Sequence, residues 1–112
     1  MEPLITSNDP LITEKVLAAI KTCFDPEIPV DIWELGLIYE VHIHKIAEQA
    51  SVHVIMTLTA PSCPAAGSLP PEVEEKIKSL DEVVSAQVDI SFDPPWDQSM
   101  MSEEARLELG FM

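Results

Sequence analysis

Two thiols, Cys23 and Cys63, are the side chains of this 112-residue chain best suited to covalent or metal chemistry, and their settings differ. Cys63 stands in Ala60-Pro61-Ser62-Cys63-Pro64, directly after a strand pattern that closes on Thr57-Leu58-Thr59 and just before a helical one. A thiol beside the free N–H groups of a helix start has its thiolate favoured, and the thiolate is both nucleophile and metal ligand. The same position also suits a small buried hydrophobe, the common fate of free cysteine. Cys23 lies seven residues after Val16 on an apolar helical stripe and reads as core. Two cysteines without a Cys-x-x-Cys spacing cannot complete a four-thiolate site within one chain.

Asp25-Pro26-Glu27-Ile28-Pro29 follows the first helical pattern. It reads either as a proline stop with polar turn residues or as a stiffened loop holding two carboxylates beside Cys63. There they would orient the thiol, take its proton or complete a metal shell. The three histidines, His42, His44 and His53, fall on two consecutive strand patterns. Imidazoles gathered on one sheet face suit zinc, yet wet strand faces carry such residues anyway, and no fourth ligand is evident. Nucleophilic catalysis by a thiol wants a histidine beside the cysteine. None neighbours Cys63 in sequence, so the chain reads as a non-enzyme.

The elements that must position these groups follow from hydrophobic period. Val16, Leu17, Ile20, Cys23 and Phe24 predict a helix over 13–24, capped by Thr13 and stopped before Pro26. Residues 25–37 form an ordered loop with much to bury. Tyr39, Val41 and Ile43 alternate with polar residues over 38–46, and Val52, Val54, Met56 and Leu58 do so over 51–59. Pairing 46 with 51 across a loop at 47–50 aligns both apolar faces and sets His44 opposite His53. Leu69, Val73, Ile77 and Leu80 mark a second helix starting near Pro70, and 84–92 a third strand. Ser102, Glu103, Glu104 and Gly110 bracket a short final helix that must dock to persist.

The expected fold is therefore α+β, a small two-layer sandwich in the order α-β-β-α-β-α. It has a three-stranded sheet, two helices on one face and a short C-terminal helix. One domain spans 1–112, with a loose arm over 1–11 and a docking tail over 93–112 that carries Trp96, Met100, Met101, Leu107 and Leu109. Twenty acids against six scattered bases give a net charge of −14. That excludes a basic patch, makes nucleic acid and anionic membranes poor partners, and favours a basic partner surface or a cation. No run approaches a membrane span and no basic, apolar leader opens the chain, so a cytoplasmic protein with reduced thiols is expected.

Four segments together carry a family likeness. They are Asp25 through Tyr39, Met56 through Pro64, Phe92-Asp93-Pro94-Pro95-Trp96 and Met101 through Arg106. In order and spacing they resemble the SufT-type iron–sulfur cluster assembly proteins. The wider metal–sulfur assembly family also includes a phenylacetate-degradation accessory protein and a targeting subunit of the eukaryotic cytosolic cluster machinery. The resemblance covers about 12 to 112. It implies a compact α/β sandwich and an accessory role in maturing Fe–S proteins. Cys63 would be the functional thiol and cluster ligand, with Asp25, Glu27 and Thr59 near it. The implied cofactor is an iron–sulfur cluster, held transiently and shared between chains or with a partner. The implied partners are the assembly machinery and client Fe–S proteins, or a second copy in a homodimer. Ala60 departs from members with a second threonine there. A metal-free adaptor joining a cluster carrier to its client is the alternative.

Overall fold

A computed structural model describes residues 3–24, 30–59 and 67–110. The elements are β1 (Leu4–Ser7), α1 (Pro10–Ile20), β2 (Ile38–Ile46), β3 (Gln49–Met56), α2 (Leu69–Lys78), β4 (Val83–Ile90), a 3-10 turn (Gln98–Met100) and α3 (Glu103–Leu109). The sheet runs β1-β2-β3-β4. β1 is parallel to β2, β2 antiparallel to β3, and β3 parallel to β4. The chain is thus two βαβ units, β1-α1-β2 and β3-α2-β4, joined by the β2–β3 hairpin. Four strands replace the expected three, because Leu4–Ser7, read from sequence as part of a loose arm, pairs with Glu40–Ile43.

Helix α1 begins earlier than its periodicity suggests. The Ile12 amide donates to the Asp9 carboxylate at 3.0 Å, and Pro10 follows that cap. Thr13, the expected cap, instead donates its hydroxyl to the Asp9 carbonyl from within the first turn. Ile12, Val16 and Ile20 form the buried stripe, with Cys23 sealed just beyond the helix end. Phe24, read as part of that stripe, lies past the helix and is half exposed.

The hairpin turns tighter than expected. Ile46 faces Gln49 across Ala47 and Glu48, so Val41 meets Val54 and Ile43 meets Val52. The pairing is two residues from the expected register. A two-residue slip keeps every side chain on its own face, so the alternating pattern could not tell the two apart. His42, rather than His44, consequently faces His53. One sheet face packs Val41, Ile43, Val52, Val54 and Met56 into a core with Ile12, Val16, Ile20, Val73 and Ile77. The other face carries Thr6, His42, His53 and Gln87 in one row across all four strands.

The tail is pinned across the loop that precedes β2. Tyr39 donates its phenol hydrogen to the Pro94 carbonyl at 2.7 Å, and the Trp96 indole donates to Leu35 at 2.8 Å. The Ser102 amide donates to the Glu34 carbonyl at 2.8 Å. Gly36, at φ 79°, runs so close to Met100 that a Cβ would overlap the Met100 carbonyl oxygen. Ser102 and Gly110 cap α3 as read from sequence: the Ala105 amide donates to the Ser102 hydroxyl, and Gly110 turns left-handed at φ 78°.

Candidate functional site

Cys63, Asp25 and Glu27 lie outside the described residues; the structure describes the chain on either side of them. The 25–29 segment is closed at its base by an isolated bridge between Phe24 and Asp31. Asp31 then accepts from the amides of Trp33 and Glu34 at 3.0 and 3.1 Å, starting the turn that leads to Gly36. The 60–66 segment leaves from the end of β3. There the Thr57 amide donates to Leu37 at 2.7 Å and Ser91 donates to Met56 at 2.8 Å. Thr59 is half-buried at this rim.

Thr57 departs from its expected place. Alternation put it on the wet face with His53, yet it is fully buried. The regular strand stops at Met56, and the chain past it turns under Leu37. Burial of the Tyr39 phenol pushes its pKa up, against a smaller opposing pull from the Thr57 hydroxyl. A threonine closing an apolar strand gave no sequence signal that separates a buried hydroxyl from an exposed one.

The Cys23 thiol lies beside Glu72, an acid in the first turn of α2. Burial first, and the Glu72 carboxylate second, push the thiol up to about 11, with Lys76 pulling weakly the other way. Cys23 therefore stays protonated and inert at neutral pH. The start of α2 is also a poor anion seat. Pro70 and Pro71 remove two of its free N–H donors, Ser68 provides no side-chain cap, and Glu72 adds negative charge.

The histidines form two pairs with carboxylates. His42 Nε2 is 2.9 Å from Glu40, and His53 Nε2 is 2.7 Å from Asp89, which also accepts from Gln87 at 2.8 Å. The two rings are 6.2 Å apart, and His44 stands exposed two residues along. Among the described residues, no three His, Cys, Asp or Glu side chains are placed to hold one metal ion.

A family model described as iron–sulfur cluster assembly protein matches residues 13–90. The chain belongs to that family. It is 45% identical over 107 residues to an Fe-S protein maturation auxiliary factor of Porphyromonas gingivalis, covering 95% of this chain and 99% of that one. It is 35% identical over 86 residues to the Fe-S protein maturation auxiliary factor SufT of Staphylococcus aureus, covering 77% and 94%. Among solved structures, a domain of unknown function from Bacillus anthracis superposes with a TM-score of 0.77 at 32% identity, over 91% of this chain and 94% of that one. The SufT-type likeness read from the four motifs is thereby established, as is the α+β architecture. No helix among the described residues of this iron–sulfur assembly protein is long and apolar enough to cross a membrane.

Proposed function

We propose that this protein is a non-enzymatic, cytoplasmic accessory factor that helps assemble iron–sulfur clusters or pass them to client proteins, through the thiolate of Cys63. The observation that carries this reading is the sealed state of Cys23. That thiol is fully buried and pushed up to about 11, which leaves Cys63 as the other thiol the chain can offer.

One thiolate cannot hold a cluster, which needs about four ligands. The cluster is therefore cargo, and its remaining ligands come from the assembly machinery, a client, a small thiol or a second copy in a homodimer. Asp25, Glu27 and Thr59 would flank the thiol. The carboxylates are suited to accept its proton as metal binds, because a thiolate ligand must shed that proton.

A complementation assay tests this reading in cells that depend on the protein for Fe–S enzyme activity. Cys63→Ala is expected to abolish maturation while melting like the parent. Full maturation by Cys63→Ala would remove the thiol from the account. It would favour a metal-free adaptor that holds carrier and client together.

A further inference from the structure

The two edges of the sheet are finished differently. On β4, the Val88 amide donates to the Glu74 carboxylate of α2 at 2.9 Å, so a side chain occupies that edge. On β1, all four residues are exposed, and among the described residues no hydrogen bond reaches its outer side. The strand itself carries neither lysine nor proline, two usual guards of an open edge; Pro3 stands just before it, at one end of the groove described next.

Beside this edge, on the core side of the sheet, runs a groove of about 450 Å3. Ile5, Trp33, Met100 and Met101 line it, with Glu34 at its rim. Its walls are fixed, because Gly36 packs under Met100 and Ser102 is bonded to Glu34. Ile5 points toward the groove while remaining 39% exposed, so this stretch of the core-facing side is left partly uncovered.

We propose that the outer edge of β1 and this groove dock an extended, positively charged segment of a partner protein, which joins the sheet as a fifth strand. Main-chain bonds to β1 would hold the segment, and alternate apolar side chains would fill the thioether- and indole-lined groove. Charge selects the occupant. The protein carries −14, and with apolar side chains seated in the groove the alternate basic ones lie on the face of Leu4 and Thr6, where Glu40 of β2 neighbours Leu4. The base beside the groove, Lys21, is stacked 5.4 Å from the Trp33 ring. A second copy meeting edge to edge would bring the same negative charge and only four residues of strand, so a basic partner fits better.

The test uses the full chain and a short peptide of alternating lysine and valine, with a glutamate–valine peptide as the opposite-charge control. Binding is read by fluorescence anisotropy, and its place by amide exchange. The lysine–valine peptide is expected to bind, to protect amides within Leu4–Ser7, and to weaken about tenfold or more with Ile5→Lys, which sets a charged side chain where the valines dock. Val84→Lys, on the exposed opposite edge, should bind as the parent does. Met100→Lys repeats the test from the other wall should Ile5→Lys melt early. Undiminished binding by both groove variants, equal binding of the glutamate–valine peptide, unprotected β1 amides, or a dimer formed through β1 would each overturn the proposal. Cys63→Ala should bind the peptide normally, so docking and the thiol's role fail or stand separately.

Discussion

The Cys23 thiol, sealed just past the end of α1, donates to the Ala19 carbonyl at 3.8 Å and feels the Glu72 carboxylate in the first turn of α2. Burial first, and that carboxylate second, silence one of the two thiols of the chain.

Alkaline pH should expose the contact. The folded thiol ionises near 11, against an ordinary value of 9.0. Between those values the unfolded chain sheds this proton and the folded chain does not, so stability falls as pH rises from about 9 towards 11. Thermal melts of the parent across that window should drop further than those of Cys23→Ala. At neutral pH, Cys23→Ala should cost about 1 kcal/mol for the small cavity it leaves. Rapid alkylation of Cys23 in the native protein would contradict its sealed state.

Acid should loosen the N-terminal unit. Ile12 and Lys45 hold the Asp9 carboxyl below its ordinary 3.8, the backbone bond first. Its contribution is complete above that value and is lost as pH falls through the lower folded value. Asp9→Asn keeps a capping oxygen but drops the charge. It should flatten the acid limb of the stability profile while α1 still forms by circular dichroism.

Gly36→Ala should cost about 3 kcal/mol, since a left-handed backbone and an overlap with Met100 act together. Denaturant melts would measure the loss. Faster amide exchange confined to the tail from Trp96 to Leu109 would locate it.

Ala47 is the one non-glycine residue with positive φ among those described, at 57° in the β2–β3 turn. Ala47→Gly should stabilise by about 0.5 kcal/mol, the relief of the left-handed cost less the entropy of a looser unfolded chain. A lower melting temperature for Ala47→Gly would contradict the turn geometry.

Much of the fold was legible because its signals are local. The strand over 38–46 and the Ser102 and Gly110 caps stand where composition put them. What escaped was non-local or degenerate. Leu4–Ser7 is too short for a periodic pattern, and its partner Glu40–Ile43 is far along the chain. The hairpin register slipped by two because that slip preserves alternation. Asp9 won the cap from Thr13 because Pro10 is tolerated in the first helical turn. For the site, sequence separated Cys23 from Cys63 by stripe position, and burial agrees for Cys23. It did not foresee that Pro70, Pro71 and Glu72 make the start of α2 unfavourable to an anion.

The most direct measurement is anaerobic reconstitution with iron and sulfide, read by visible absorbance on the parent, Cys23→Ala and Cys63→Ala. Cluster colour should form on the parent and on Cys23→Ala, and vanish with Cys63→Ala although that variant melts normally. Equal colour on Cys63→Ala, or loss of colour only with Cys23→Ala, would contradict the assignment of the working thiol.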